Sequence, residues 1–503
     1  MKPLKIVILG AGSASFALNS LATLLREPAL QGSTLALVDV DPDALRLVRR
    51  LAERLNLEWN ARFHIEVHDD RCAVLEDADF VVCAIERVPR EKLWRHDWEV
   101  PLRHGLRQPL AENGGPGGFA HAARNIPPVI DIARDMERLC PDAVLIMLSN
   151  PLPRLCRAVT KYTSIQVVGL CHQLSFGYAL AGILLFDRTG VPIPPEILLP
   201  NIPLFPYGRA FWATVGEYVT RVSQAIDIQA AGLNHFTWML DVRDKRTGQD
   251  LYPLLRRRFL AVPGGRERLS RDLLRITGCM PATGDTHLSE YLPYTHNPGT
   301  RPWERYHLRP YDWARAERGR GELWRDITGT IEGGGSALRR LRDLPSEGIC
   351  EVVLGLSGRG DAYRPAANVP NHGAIPNLPP DTIVEVPVRF TRAGALPARI
   401  TELPPMISEL CRREAQLVEY VVDAAVQGSR ELALQALCLD PTMDDLDVAR
   451  AVLDDYLEIH RDHLPQFHGK WSNERPCARP ASLRAAGRGS DRELSATGTH
   501  GPA

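Results

Sequence analysis

Short runs of hydrophobic residues alternate with longer stretches of helical spacing over the first part of the chain. The stretch Asp41–Leu55, for example, carries its apolar residues at the three- and four-residue intervals of a helix. Several runs are apolar almost throughout, as expected of parallel strands that helices cover on both faces. This order predicts an α/β fold built on a Rossmann-type, doubly wound parallel sheet. The predicted strands are Lys5–Leu9, Thr34–Val38, His64–Val67, Ala78–Ile85, Ala143–Leu148 and Ile165–His172.

The pattern changes in the second part of the chain, which predicts a second domain of the α+β type. An alternating strand is expected at Asp381–Pro387, and helical spacing runs from about Ile407 to His460. The proline-rich segment Val191–Pro206 marks the passage between the two domains. We therefore expect domains at residues 1–198 and 199–471. Residues 472–503 are rich in Arg, Pro, Ser, Gly and Ala, which predicts a disordered tail.

Length and composition narrow the function classes. A chain of 503 residues, 44% hydrophobic and 24% charged, can bury a large core. Its net charge of -1 gives no electrostatic reason to expect nucleic acid or an anionic membrane as a partner. We see no signal peptide and no apolar run of membrane-spanning length, so we expect a soluble, cytoplasmic protein. The ten cysteines form no CxxC pairs, which excludes a disulfide framework or a zinc ribbon as the organising feature.

The first strand runs into a glycine-rich turn, Gly10-Ala11-Gly12-Ser13-Ala14-Ser15-Phe16, and then into a helix. The first glycine permits a tight turn, and the second lets a pyrophosphate approach the helix amino terminus. The second strand ends in Asp39, whose carboxylate can accept the ribose hydroxyls of NAD and would repel the extra phosphate of NADP. Strand, loop, helix, strand and aspartate together predict NAD binding, although Ser15 replaces the third glycine. The residues expected to contact NAD are Gly10, Gly12, Ser13, Phe16 and Asp39.

The end of the sixth predicted strand presents Cys171 and His172 where ligands bind in a doubly wound sheet. A thiolate there can bind a metal ion or act as a nucleophile. The alternative is a buried small side chain followed by a surface histidine. His235, beside a glycine and an asparagine, also has the setting of a ligand, although a single histidine more often serves the fold. Taken alone, Asp285 would be an ordinary turn residue.

A glycine-rich segment, Glu112–Gly118, contains four glycines and one proline. Such a composition predicts an irregular loop, which either encloses a ligand or lies on the surface. Phe119–Leu139 then shows helical spacing. The pair Pro127-Pro128 is expected to kink this helix or to begin a new one.

Several motifs recur in an order that is more specific than any one of them: Gly10-Ala11-Gly12-Ser13, Asn150-Pro151, Gly169-Leu170-Cys171-His172, Leu233-Asn234-His235, Gly284-Asp285-Thr286 and Val369-Pro370-Asn371-His372-Gly373. In these motifs the chain resembles glycoside hydrolase family 4, the NAD-dependent glycosidases that depart from the usual two-carboxylate mechanism. The likeness covers nearly the whole chain up to the tail.

The resemblance implies a metal ion as a second cofactor, together with its ligands and the residues that contact substrate. Cys171 and His235 match the family's manganese ligands, and another divalent transition metal could replace manganese. Asn150 matches a substrate-contacting asparagine, and Asn234 is expected to bind substrate as well. The resemblance also implies a homodimer or a homotetramer and a small glycoside as the binding partner.

The same resemblance implies catalytic roles and a substrate class. Asp285 falls where the family places its catalytic base, with His287 as the next candidate. His172 falls where members that act on unphosphorylated α-glycosides carry histidine, and it is a candidate general acid. We expect oxidation at C3 of the sugar, deprotonation at C2, elimination, water addition and re-reduction. An α-galactoside or an α-galacturonide is the favoured substrate.

Two other functions fit part of the sequence. A plain NAD-dependent dehydrogenase of a sugar or hydroxy acid shares the nucleotide-binding half, but it needs no metal thiolate and no base at Asp285. A binding protein that senses NAD is the third reading, and intact Cys171, His235 and Asp285 argue against it.

Overall fold

A computed structural model of the chain describes residues 2–13, 17–87, 90–198, 209–333, 341, 348–469 and 471. Its first six strands lie side by side in the order β3-β2-β1-β4-β5-β6, and every neighbouring pair is parallel. This is the strand order of the Rossmann fold, so the predicted fold class is confirmed. The strands are β1 (Lys5–Leu9), β2 (Thr34–Val38), β3 (His64–His68), β4 (Phe80–Cys83), β5 (Val144–Met147) and β6 (Gln166–Gly169).

The later strands continue the same sheet beyond β6 in the order β10-β11-β7-β8-β9, with β12 paired to β11. All of these pairs are antiparallel. The α+β part of the chain therefore extends the sheet of the first part. The strands are β7 (Ile226–Leu233), β8 (Phe236–Asp244), β9 (Met280–Pro281), β10 (Ala362–Pro370), β11 (Ile383–Thr391) and β12 (Gly394–Pro397).

Helices cover both faces of the parallel strands. In β1, Ile6 and Ile8 belong to one hydrophobic cluster, whereas Val7 and Leu9 belong to another. This alternation explains why the strand is apolar throughout. The helices are α1 (Ala17–Leu25), α2 (Pro42–Glu58), α3 (Arg90–Arg103), α4 (Gly115–Leu139), α5 (Leu152–Tyr162), α6 (Leu174–Leu184), α7 (Phe186–Thr189), α8 (Arg209–Ala225), α9 (Tyr252–Leu260), α10 (Arg268–Thr277), α11 (Asp285–Leu288), α12 (Pro302–Arg305), α13 (Trp313–Gly333), α14 (Ile349–Leu356), α15 (Pro405–Gln427), α16 (Arg430–Leu439) and α17 (Leu446–Ile459).

Helix α4 begins earlier than predicted, and it includes both prolines of the pair Pro127-Pro128. It begins at Gly115, so four residues of the segment expected to be an irregular loop, Gly115, Pro116, Gly117 and Gly118, form its first turn. It also continues through Pro127-Pro128 without a break. Pro127 cannot donate to the carbonyl of Ala123, and the amide of Gln466 donates to that carbonyl instead, at 2.8 Å. The lost backbone bond is thus replaced from another element.

Two expectations concern regions outside the described residues. The predicted domain boundary at residue 198 adjoins residues 199–208, and the predicted tail covers residues 472–503. Both therefore stay predictions. Within the described ranges, no helix combines the length and the apolarity needed to cross a bilayer.

Candidate active site

The candidate site lies where two strands end, at the carboxyl edge of the parallel part of the sheet. β6 ends two residues before Cys171, and β7 ends two residues before His235. In the sheet these strands are separated by β10 and β11. The four strands β6, β10, β11 and β7 each contribute one residue to a row of paired neighbours across the sheet. These residues are Gly169, Asn368, Glu385 and Gly232. The sheet thus brings together two motifs that are 64 residues apart in the chain.

Cys171 and His235 face each other in this site. Their Sγ and Nε2 atoms are 3.5 Å apart. Sulfur and nitrogen ligands of a single transition metal ion lie about 2.1 to 2.3 Å from it, and therefore about 3 to 3.7 Å from each other. The separation fits one ion between the two side chains. The structure thus brings the two predicted metal ligands together, and their ligand role stays a prediction.

A carboxylate and a second imidazole lie beside His235. The ligand atoms of Glu112, His235 and His287 all lie within 4.8 Å of one another, and all three residues are buried. The rings of His235 and His287 have their centroids 4.3 Å apart. His235 therefore belongs both to this cluster and to the pair with Cys171. A thiol, two imidazoles and a carboxylate are a donor set suited to a divalent transition metal.

Two neighbouring side chains fix the position of His235. Its backbone has a φ of 64°, in the left-handed region that few residues other than glycine adopt. The side chain of Gln173 accepts a hydrogen bond from the His235 N–H at 2.8 Å and holds this conformation. On the ring, Nδ1 lies 2.8 Å from Nδ2 of Asn113, which leaves Nε2 facing Cys171.

The segment that carries Glu112 is held on two sides. Trp94 donates its indole N–H to the two carbonyl oxygens that precede Glu112, each at 3.0 Å. The carboxyl group of Glu290 accepts the Glu112 N–H at 3.1 Å. A Cβ atom at Gly114 would lie 2.6 Å from the carbonyl oxygen of Glu290, so this close approach requires glycine. Glu290 therefore ties the glycine-rich segment to the chain that contains His287.

An ion pair between Glu86 and His121 lies next to the segment that carries Glu112. Glu86 follows β4, and its Oε2 lies 2.8 Å from Nε2 of His121. Burial acts to raise the pKa of Glu86, but the charge and hydrogen bond of His121, together with the charges of Arg90 and Arg124, outweigh burial and lower this pKa to about 2. The same pairing raises the pKa of His121. His121 contacts the Glu112 carbonyl oxygen through Nδ1 at 2.8 Å, so the ion pair helps to position Glu112.

The electrostatics of the site favour neutral side chains when no cation is bound. Burial raises the pKa of Cys171 to about 12. Burial also lowers the pKa of His235 well below its usual value, and it lowers the pKa of His287. Burial and the charge of Glu112 raise the pKa of Glu290 to about 8. A divalent cation would stabilise the thiolate and bind neutral imidazole, so the donor set fits a metal ion.

Asp285 lies two residues before His287, but its carboxylate is hydrogen-bonded to helix α10. Oδ2 accepts the N–H of Leu269 at 2.8 Å, and Oδ1 accepts the N–H and the hydroxyl of Ser270 at 2.9 and 2.6 Å. These residues are in the first turn of the helix, so Asp285 acts as a helix cap. Its own N–H donates to Glu267 at 2.7 Å. The structure does not gather Asp285 into the cluster around His235, and its role as catalytic base stays a prediction.

The glycine-rich turn after β1 has the geometry of a nucleotide-binding loop. Gly10 has a φ of 79°, and a Cβ there would lie 2.4 Å from the carbonyl oxygen of Ala84. The Gly12 N–H donates to Oδ2 of Asp39 at 2.7 Å. The end of β2 thus meets the loop, and the contact of Asp39 with the ribose of NAD stays a prediction. Gly10, Gly12, Ser13 and Asp39 lie together, and Phe16 is outside the described residues.

Three further predicted residues have different surroundings. His172 is exposed beside the site, and its charge contributes to lowering the pKa values of His235 and His287. Asn150 follows β5 at the same edge of the sheet and is partly exposed. Asn234, by contrast, is fully buried, and its amide donates to Glu385 at 2.9 Å. Its predicted substrate contact stays a prediction, and the observed contact is structural.

Sequence reasoning missed four residues that shape the site: Glu112, Asn113, Gln173 and Glu290. The glycine-rich segment was a signal for the first two, because a loop that encloses a ligand was one of its two interpretations. Gln173 adjoins the Cys171-His172 motif, and proximity to that motif was the available signal. Glu290 gave none, since a buried carboxyl group cannot be told from a surface one in a single sequence.

Fold and site together define an α/β enzyme with its reactive side chains at the carboxyl edge of a Rossmann sheet. The model of the family 4 glycosyl hydrolases matches residues 5–180, and the model of their C-terminal domain matches residues 230–443. The chain therefore belongs to glycosyl hydrolase family 4 and is a glycoside hydrolase, as the motifs predicted.

Curated relatives cover nearly the whole chain. An α-glucosidase of Erwinia rhapontici is 29% identical over 87% of this chain and 93% of its own length. An α-galactosidase of Bacillus subtilis is 29% identical over 92% of this chain and 99% of its own. An α-galacturonidase of the same species is 26% identical over 90% of this chain and 97% of its own.

Solved structures share the fold. The crystal structure of LplD from Bacillus subtilis matches with a TM-score of 0.75 and 25% identity over 91% of this chain and all of that one. A 6-phospho-α-glucosidase from gut microorganisms, in complex with NAD and Mn²⁺, matches with a TM-score of 0.72 and 19% identity over 92% of this chain and all of that one. At that identity the second likeness concerns the fold alone.

Proposed function

We propose that the protein is an NAD- and divalent-metal-dependent glycosidase that cleaves an unphosphorylated α-glycoside, with an α-galactoside or an α-galacturonide as the favoured substrate. The observation that carries the proposal is the 3.5 Å separation of Cys171 Sγ and His235 Nε2 at the carboxyl edge of the sheet. The names of the curated α-galactosidase and α-galacturonidase support the choice of sugar.

The side chains present fit both cofactors. Cys171 and His235 would hold the metal ion, with Glu112 close enough to complete its shell. Thiolate and imidazole favour manganese, or another divalent transition metal, over magnesium. Gly10 and Asp39 lie where the pyrophosphate and the ribose of NAD bind in a Rossmann fold. When bound, NAD would take up and return a hydride at C3, and the ion would polarise the oxygens on C2 and C3.

The remaining chemistry is proton transfer by side chains of this chain. Loss of the C2 proton needs a base, and elimination of the aglycone needs an acid near the glycosidic oxygen. His172 is exposed at the mouth of the site and would serve as the acid, because an imidazolium ring can donate a proton to the glycosidic oxygen. Asn150 would orient the sugar through its hydroxyl groups. Addition of water at C1 and return of the hydride would complete the cycle.

Two residues of one short segment compete for the role of base. Asp285 matches the family's base, but three hydrogen bonds from α10 occupy its carboxylate. His287 lies beside His235, and its Nδ1 has no hydrogen-bond partner among the residues that the structure describes. Burial lowers the pKa of His287, so its ring is neutral and can accept a proton. We therefore place His287 first and Asp285 second.

The test is a panel of α- and β-linked nitrophenyl galactosides, glucosides and galacturonides, together with nitrophenyl 6-phosphoglycosides, assayed with and without NAD and Mn²⁺. We expect nitrophenol release from an α-linked, unphosphorylated sugar, only when both cofactors are present. NAD should act catalytically, since a dehydrogenase would consume it in proportion to product. The variant Cys171→Ser should lose the metal-dependent activity and keep its affinity for NAD. Activity without either cofactor, or on 6-phosphoglycosides alone, would contradict the proposal.

The proposed substrate is a small molecule, and nothing in the proposal calls for nucleic acid or a membrane. A homodimer or homotetramer remains the expectation for the assembly. Light scattering on the purified protein would measure it directly, against a chain mass of 55.9 kDa.

A further inference from the structure

A cleft on the outer face of helix α10 is lined by positively charged side chains. It has a volume of about 500 Å³, and its walls include Arg268, Arg271, Arg275 and His307. The three arginines are three and four residues apart, which places them on one face of the helix. None of these side chains belongs to the cluster around His235. The side chains that line the cleft therefore differ from those proposed to hold the metal ion.

Arg271 forms a fixed, buried cation in the wall of this cleft. The residue is only 7% exposed. Its two terminal nitrogens donate to the carbonyl oxygens of Val262 and Gly264. Its Nε has no hydrogen-bond partner within the described part of the chain. The hydrogen bonds of this buried guanidinium go to neutral carbonyl groups, so its positive charge stays uncompensated, and an anion in the cleft would stabilise it.

The remaining walls leave the cleft with a net positive charge. Its one carboxylate, Asp272, already pairs with Arg275 at 2.7 Å. Arg268 makes a long contact of 3.4 Å to the Arg305 carbonyl oxygen, so most of its N–H groups face outward. The ring of His307 lies against Gly265, where a Cβ atom would come within 2.1 Å of it. Glycine at this position therefore keeps the imidazole at the wall of the cleft.

We propose that this cleft is a binding site for an oxyanion, either phosphate or the carboxylate of an acidic sugar. Both present oxygen pairs that match the planar fork of a guanidinium group. A bound anion would offset part of the positive charge of these arginines and would link α10 to the loop at Gly264 and Gly265. The first turn of α10 holds Asp285, so the ligand would also stabilise the segment that leads to His287.

The test is calorimetric titration of the full-length protein with inorganic phosphate and, separately, with digalacturonate. The variant Arg268→Gln/Arg275→Gln removes two exposed cations and leaves the anchored Arg271 intact. The control variant Arg46→Gln/Arg49→Gln removes the same charge from exposed positions of α2. We expect saturable binding by the wild type, weakened about tenfold or more in the first variant and unchanged in the control. Bound phosphate should also raise the melting temperature of the wild type.

The titrations with phosphate and with digalacturonate show whether the cleft binds a phosphate group, a sugar carboxylate or both. Phosphate that binds and competes with digalacturonate supports one oxyanion site that accepts both. A uronate that keeps its affinity in Arg268→Gln/Arg275→Gln binds elsewhere and contradicts the carboxylate arm. Absence of saturable binding by the wild type for both anions, or equal losses in the two double variants, would overturn the proposal. Digalacturonate is itself an α-galacturonide and would also bind the active site proposed above, so the phosphate arm, which does not depend on the proposed function, decides the proposal.

Discussion

Asn113 governs which nitrogen of His235 can bind a metal ion. A neutral imidazole carries one N–H, so coordination through Nε2 requires the proton on Nδ1 and an acceptor for it. In the structure Nδ2 of Asn113 faces Nδ1, and Oδ1 has no partner among the described residues. Half a turn of the amide exchanges these two atoms and supplies the acceptor, and it also breaks the hydrogen bond that Nδ2 donates to the Glu112 carboxylate at 3.2 Å. Asn113 thereby couples the tautomer of His235 to metal binding.

We expect Asn113→Ala to weaken metal binding by about tenfold, because loss of a hydrogen-bond partner behind a ligand typically costs that much. Asn113→Asp keeps an acceptor and should bind the ion at least as tightly as the wild type. Titration with Co²⁺, followed by the thiolate-to-metal absorption band, measures this without an activity assay. If Asn113→Ala and the wild type bind Co²⁺ with equal affinity, then Asn113 does not assist metal binding by His235.

The raised pKa of Glu290 predicts that the unfolding free energy of the protein depends on pH. The pKa of this carboxyl group is raised to about 8 in the folded protein, so its contribution to stability is fully present below the unfolded-state pKa and is lost as the pH rises through about 8. Glu290→Gln mimics the protonated group and still accepts the Glu112 N–H. Relative to the wild type, the variant should gain roughly 3 kcal/mol in unfolding free energy between pH 6 and pH 9.

Urea denaturation of the metal-free proteins at the two pH values measures this gain. Glu53→Gln, at an exposed position of α2, is the matched control and should show no such pH dependence. A gain that is the same at both pH values would mean that Glu290 is ionised throughout.

At the scale of the elements, the contact between Asp285 and helix α10 raises the question whether this residue caps the helix or acts as the catalytic base. Two variants can separate these roles. Asp285→Asn keeps an oxygen for the helix N–H groups, so we expect a loss of about 1 kcal/mol in unfolding free energy. Exchange of the sugar C2 hydrogen with solvent deuterium should persist in this variant if His287 is the base. His287→Gln should abolish that exchange while leaving α10 capped. NMR of recovered substrate in D₂O measures both.

The opposite result has an equally clear meaning. If exchange stops in Asp285→Asn and continues in His287→Gln, then the carboxylate leaves α10 when substrate binds and is the base, as the sequence motif implies. The pair of variants thus decides between two neighbouring residues of a single segment.

Elements were predictable from the sequence where one local signal determined them. The strands of the parallel sheet and the turn at Gly10 followed from apolar runs and from glycine. The continuity of helix α4 through Pro127 could not be predicted from a local signal. The carbonyl group that loses its backbone donor there accepts a hydrogen bond from Gln466, which lies over three hundred residues later in the chain. The convergence of Cys171 and His235 came from matched motifs. Their contacts with Asn113 and Glu112 depend on tertiary packing, which has no local sequence pattern.

At the scale of the whole molecule, Glu385 links the two parts of the sheet beneath the site. It is 1% exposed and accepts hydrogen bonds from Asn234, Thr237 and Asn368, at 2.9, 2.5 and 3.2 Å. Asn368 pairs with β6, whereas Asn234 adjoins His235. The strand that leads to Cys171 and the hairpin that carries His235 are therefore joined through one buried carboxyl group. The distance between the two predicted ligands depends on this network.

We expect Glu385→Ala to lower the unfolding free energy by about 3 kcal/mol, because it removes the buried acceptor that three side chains share. Glu409→Ala, on the exposed face of α15, is the matched control and should change stability by less than about 0.5 kcal/mol. Where Glu385→Ala remains folded, Co²⁺ affinity should fall although no ligand has been altered, since Cys171 and His235 are no longer held at one separation. Unchanged stability together with unchanged Co²⁺ affinity would show that each half of the sheet fixes its own ligand, and that the site does not depend on their junction.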